Sequence, residues 1–171
     1  FEAAEKLSLP VTFHMSPEPG YAYGICDRPG LPLLEEALKN FPELKFFGHS
    51  QTFWIEISGD APREGNQARS KMGDGPVAPG GAVPRLLDTY PNLYGDLSAY
   101  SGSRAVMRDE VFGLAFLERY QDRLMYGSDT INSVQVMPLG GYLDSCVEDG
   151  RLSREAYEKI CYQNAQKLLN I

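Results

Sequence analysis

Four short apolar runs, each closing on polar residues, constrain this chain more than any other feature. They are PVTFHM (Pro10–Met15), LKFFGHS (Leu44–Ser50), NLYGDLS (Asn92–Ser98) and RLMYGSD (Arg123–Asp129). The first is β-branched and aromatic, and all have the length of strands. Helical patterns separate them. LPLLEEALKNF (Leu31–Phe41) sets Leu33, Leu34, Ala37, Leu38 and Phe41 at helical spacing. AVPRLLDTY (Ala82–Tyr90) places Val83, Leu86, Leu87 and Tyr90 on one face, and DEVFGLAFLERY (Asp109–Tyr120) is amphipathic with an acidic start. LGGYLDSCVEDG (Leu139–Gly150) is a helix weakened by its two glycines, and Ser153 caps a last helix through EAYEKICYQNAQKLL.

Strands alternating with helices predict parallel pairing through right-handed crossovers. The runs are apolar on both faces, as a covered parallel sheet requires. Two α/β architectures compete: a doubly wound open sheet and a (β/α)8 barrel. A complete barrel typically takes ~250 residues. With 171 residues and four clear strands, the chain cannot close one alone.

Composition narrows the partners. A net charge of −7 argues against a nucleic-acid or anionic-membrane surface. No apolar run approaches the ~18 residues of a membrane span, and the opening residues are not expected to be a signal peptide. The three cysteines, Cys26, Cys146 and Cys161, are odd in number and lack C-x-x-C spacing, so a reducing cytoplasm is expected rather than a disulfide framework. The opening FEAAEKLSLP lacks an initiator Met and reads as the tail of a helix, so the chain is expected to begin inside a fold.

One connection stands apart. Residues 57–80, ISGDAPREGNQARSKMGDGPVAPG, are rich in Gly, Pro and charge, without periodicity. Loops of this length are uncommon and are usually lids or disordered insertions. This one follows the second strand directly, which makes it a candidate active-site lid.

The strand tips carry the chemistry. They deliver His14, His49, Asp96 and Asp129, and these are the chain's two histidines. In parallel α/β folds the carboxyl ends of the strands share one edge, where ligands bind. Strand parity turns Thr12 and His14 to one side, and likewise Phe47 and His49. Two imidazoles and a carboxylate on one rim suit a divalent ion such as zinc, or acid–base work by an imidazole. An Asp after a strand is more often a cap or turn former, and Asp96 is read first in that way.

LPVTFHMSPEPG, FPELKFFGHSQTFW, YPNLYGDLSAYSG, RLMYGSDT and the closing NAQKLLNI resemble the second half of an amidohydrolase-related protein. This is the branch that includes aminocarboxymuconate-semialdehyde decarboxylase and many metal-dependent hydrolases. The resemblance covers nearly all of residues 1–171 and implies strands five to eight of a (β/α)8 TIM barrel with outer helices. It implies that His14 is a metal ligand and that His49 acts on substrate and water. It implies that Asp129 binds the metal and handles the proton of the metal-bound water. It places Trp54 where the branch carries aromatic residues after strand six, lining the substrate pocket. The family's H-x-H pair of strand one is absent.

The expected activity is therefore metal-dependent hydrolysis of a small carbonyl, amide or ester substrate, with zinc as the ion. Non-oxidative decarboxylation on the same site is the alternative. A non-catalytic half-barrel that pairs with another chain is the alternative of another class. The expected complement is an N-terminal half or a second copy, without which the chain alone is expected to be inactive.

Overall fold

Five parallel strands form one sheet: β1 (Val11–Ser16), β2 (Ile25–Cys26), β3 (Phe46–His49), β4 (Leu93–Asp96) and β5 (Leu124–Met125), in the spatial order β2-β1-β3-β4-β5. This computed structural model describes every residue except Tyr21, Ala22 and Ser70, and the backbone alone of Asn66 and Gln67. The four expected runs lie side by side in chain order, all parallel. A doubly wound sheet would reverse direction at its centre; these four strands step one way only, as consecutive barrel strands do.

The helices are α1 (Glu2–Lys6), α2 (Pro32–Asn40), α3 (Gln51–Trp54), α4 (Asn66–Arg69), α5 (Ala82–Thr89), α6 (Ala99–Met107), α7 (Glu110–Arg119), α8 (Leu139–Glu148), α9 (Arg154–Glu158) and α10 (Asn164–Leu169). A 3₁₀ turn, Ile55–Ile57, extends α3, and a π-turn, Lys159–Gln163, joins α9 to α10. No helix among the described residues is long and apolar enough to cross a membrane.

Strand parity divides the apolar residues between the two faces. Phe13, Met15, Phe46, Leu93 and Leu124 join one large core with Leu34 and Leu38 of α2, Leu86 of α5, Leu117 of α7 and Leu143 of α8. Their neighbours Phe47 and Met125 belong to a second, small cluster with Leu168, against which Tyr94 and Ala165 pack. Burial of each large side chain stabilises by about 1.5–3 kcal/mol, so the first face holds the fold. The second carries the polar tips. Helix α10 departs from the expected outer layer: Ala165 and Leu168 reach the second face, where they shield Phe47 and Met125 from water.

Polar side chains fasten the element ends. The Asp27 carboxylate, just past β2, accepts from the amides of Leu33 (3.1 Å) and Leu34 (2.8 Å), orphan donors in the first turn of α2. Asn92 donates to the carbonyls of Leu38 and Phe41 at its other end. Ser153 caps α9 as expected, accepting from Ala156 N–H.

Three sequence expectations are corrected. Strand β2 has only two residues, too few for a periodic signal, and pairs with β1 through Met15–Ile25 and Ser16–Cys26. Strand β5 stops at Met125 because Tyr126 N–H turns to the Ile160 carbonyl (2.8 Å), inside the π-turn. The same π-turn divides the single C-terminal helix that the periodicity predicts.

The 57–80 segment is also more structured than its composition suggests. Ile57 is buried in the 3₁₀ turn, and α4 lies within the segment. Gly59 N–H donates to Ala78 O (2.9 Å), and Val77 N–H to Asp109 Oδ2 (2.9 Å).

Candidate functional site

His14 and His49 are direct partners in the β1–β3 register, and their ring centroids lie 5.4 Å apart. Both project from the second face at the carboxyl end of the sheet. What holds the two strands level at this height is Ser50. Its hydroxyl accepts from Met15 N–H (3.1 Å) and donates to Met15 O (2.8 Å), and it caps α3 by accepting from Phe53 N–H. Ser50 has φ +101°, an uncommon conformation for a non-glycine residue. The two buried hydrogen bonds to Met15 offset that strain.

His49 is gripped through Nδ1. Asp96 Oδ2 lies 3.1 Å from that nitrogen, and so does Ser98 Oγ. The Asp96 hydrogen bond raises the His49 pKa, against the opposing effect of burial. Burial pushes Asp96 upward, but hydrogen bonds from His49 and Ser98 outweigh it, and its pKa falls. The Ser98 amide donates to Asp96 Oδ1 (2.9 Å), so Asp96 is the turn former the sequence suggested as well as the partner of His49. With Nδ1 engaged, Nε2 is the nitrogen left for chemistry.

His14 has the opposite character. Burial lowers its pKa, the neighbouring His49 lowers it further, and the charge of Asp129 works in the raising direction. Its ring lies 4.4 Å, centroid to centroid, from that of Tyr23. Gly24 makes this cover feasible. Its φ is +105°, which glycine adopts without strain, and a Cβ there would meet His14 O at 2.8 Å.

Asp129 is exposed, three residues past Tyr126, with φ +52°. Among the described residues, no group of three or more His, Cys, Asp or Glu side chains could hold a metal ion. His14 and His49 are therefore brought together, while His14, His49 and Asp129 do not close into a three-donor cage.

Trp54 lies beneath the rim, 0% exposed, against Phe53 and Phe116. Its Nε1–H donates to Asp96 O (2.8 Å). A Cβ on Gly95 would meet its ring at 2.7 Å, so the missing side chain lets the indole reach the β4 tip. In this arrangement Trp54 supports Asp96 from the core side.

Sequence reasoning missed Ser50, Ser98, Tyr23 and the buried pair Glu56–Arg69. Only the last left a signal: Glu56 interrupts the apolar run FWIEI.

A family model for the amidohydrolases matches residues 1–171, so the chain belongs to the amidohydrolase family. No curated protein matches it. Among solved structures it is similar to a dihydroxybenzoic acid decarboxylase from Polaromonas sp. JS666, crystallised with bound manganese and the inhibitor 2-nitroresorcinol. Identity is 17% and the TM-score 0.48, over 99% of this chain and 52% of that one. The chain thus spans about half the length of that protein.

Proposed function

We propose that this chain supplies strands five to eight of a metal-dependent amidohydrolase barrel acting on a small carbonyl, amide or ester substrate. The observation that carries the reading is the in-register His14–His49 pair, with Asp96 and Ser98 on Nδ1 of His49, in a chain that the amidohydrolase family matches throughout.

His14 and Asp129 are the proposed metal ligands and zinc the proposed ion. The donor chemistry fits in part. Burial favours the neutral imidazole of His14, the form that binds metals, and Asp129 is near enough to be felt by it. The remaining donors would come from an N-terminal half or a second copy facing the second face of the sheet. A bound ion would supply Lewis acidity toward a carbonyl and nucleophilic water.

The chain's own residues have separate tasks. Asp96 orients His49 and favours its protonated form, so Nε2–H can donate to an oxygen on which negative charge develops. Asp129 would hold the proton taken from the attacking water. Trp54 keeps the Asp96 carbonyl, and hence the β4 tip, in place. Residues 57–80 are the proposed lid. The same His49 proton would serve decarboxylation by protonating the substrate carbon, and product analysis separates the two reactions.

The reading of another class, a non-catalytic half-barrel module, is favoured by the lack of a three-donor group among the described residues. The test is zinc and manganese titration, with ester and amide turnover, in a protein carrying all the barrel strands. His14→Ala and Asp129→Ala should lose metal, and His49→Ala should keep metal and lose turnover. Absence of both metal uptake and turnover in that protein would support the non-catalytic module, and metal binding that ignores both substitutions would overturn the ligand assignment.

A further inference from the structure

Ser98 stands at the start of α6 without capping it: among the described residues, its hydroxyl accepts from no amide of the first turn. A serine in this place ordinarily turns Oγ to the second or third amide of its helix. The chain uses that device elsewhere. Ser50, Asp109 and Ser153 each accept from an amide in the first turn of the helix they precede. Ser98 is 6% exposed, and its Oγ faces His49 Nδ1 at 3.1 Å instead.

The surroundings fix it there. The Ser98 amide is committed to Asp96 Oδ1 (2.9 Å), and its carbonyl accepts from Gly102 N–H (3.2 Å). Ala99 follows at φ +62°, uncommon for a non-glycine residue, and donates its amide to Ser128 O (3.3 Å). Gly127 leaves the room that this needs. A Cβ there would meet Ser98 Cβ at 3.0 Å and Asp96 Oδ1 at 3.5 Å.

Serine, histidine and aspartate are the residue types of a hydrolytic triad, but the geometry is different. In a triad the serine and the carboxylate take opposite nitrogens of the imidazole. Here Asp96 Oδ2 and Ser98 Oγ share Nδ1, so the nitrogen that would take a proton from Ser98 is the one Asp96 occupies. Ser98 is thus not placed as a nucleophile. Its side chain also hydrogen-bonds Asp96, which closes a three-way contact.

We propose that Ser98 is a positioning residue for His49: its hydroxyl accepts from Nδ1–H and donates to Asp96, and so locks the imidazole with Nδ1 protonated and Nε2 free for substrate. The proposal rests on the reading of His49 as the group that acts through Nε2. It adds that a hydroxyl withdrawn from α6, and not the carboxylate alone, sets the ring.

NMR of the metal-free chain, labelled with 15N-histidine and held at one pH, tests this without turnover. The chain has two histidines, and His14→Gln assigns their signals. His49 should carry its proton on Nδ1 and exchange it slowly with water. Ser98→Ala should speed that exchange about tenfold or more, the worth of one hydrogen bond to a charged group. Ser98→Cys, close in size but a weak donor and acceptor, should behave like alanine, and Ser98→Thr should restore slow exchange. The amides of Tyr100 and Ser101, the ordinary targets of a cap, should exchange at one rate in all four proteins. In a protein carrying all the barrel strands, Ser98→Ala should lower kcat about tenfold and leave KM and metal occupancy unchanged.

Unchanged Nδ1–H exchange in Ser98→Ala would overturn the proposal, as would a neutral imidazole protonated on Nε2 in the parent chain. Slow exchange in Ser98→Cys, or fast exchange in Ser98→Thr, would reduce the effect to packing. Faster exchange of the Tyr100 and Ser101 amides in Ser98→Ala would make the hydroxyl a helix cap after all. These spectra decide the role of Ser98 whether or not the metal titration supports the proposed enzyme.

Discussion

Ser50 and Met15 hold each other twice, through a hydroxyl that accepts from the Met15 amide at 3.1 Å and donates to the Met15 carbonyl at 2.8 Å. The two residues directly follow His49 and His14. Removing the hydroxyl leaves both backbone groups unpaired in a buried place. Ser50→Ala should therefore destabilise by roughly 2–4 kcal/mol in urea unfolding. Ser50→Gly should cost less, because glycine relieves the φ of +101°. Equal losses would show that backbone strain at this position is negligible.

Asp96→Asn should lower the His49 pKa, since the Asp96 hydrogen bond is the main cause of its rise. A histidine NMR titration of the metal-free chain measures it. The His14 pKa should move much less, because burial dominates there. A shift of equal size at both rings would mean that general field effects, rather than the Nδ1 contact, set the His49 value.

Acid should release the end of the 57–80 segment. The amides of Val77 and Phe112 hold the Asp109 carboxyl below its usual value. A lowered folded pKa gives stabilisation that is present above the unfolded value and lost as pH falls through the folded one. The protection factor of the Val77 amide should thus be constant above about pH 4, near the ordinary Asp value, and decline below it. Hydrogen exchange reads this directly, and Asp109→Asn should remove the pH dependence.

Arg69→Met should destabilise by about 3–5 kcal/mol, because it strands the buried Glu56 charge. The double variant Glu56→Gln with Arg69→Met should recover most of that loss. Thermal unfolding of the two proteins decides it, and an equally unstable double variant would place the cost in lost packing.

The alternation of apolar runs and helical patterns made the parallel sheet and its order legible, because a covered parallel sheet demands continuous apolar strands. His14 and His49 were legible as rim residues for the same reason: a polar group is tolerated at the tip of such a strand and not in its middle. Ser50 and Ser98 were not, because a serine after a strand has no pattern of its own. Their roles depend on backbone angles and on neighbours 35 and 49 residues away. Trp54 illustrates the same limit. Its position after β3 suggested a pocket wall, but Gly95 removed the side chain that would have kept the indole from the core side of the β4 tip.

The π-turn at Lys159–Gln163 sets how the C-terminal region tolerates insertion and deletion. It carries one more residue per turn than the α-helices around it. That residue points the Ile160 carbonyl at Tyr126 N–H and aims Asn164 at the carbonyls of Gln121 and Leu124. Deleting Tyr162 would give a more regular helix and rotate Asn164 by about 100° about the axis. The β5 edge would then lose its side-chain partner, and Leu168 would turn away from Phe47. A deletion that improves the local helix should thus be worse tolerated than one in the 57–80 segment, and length variation among functional variants of this chain should avoid residues 159–164.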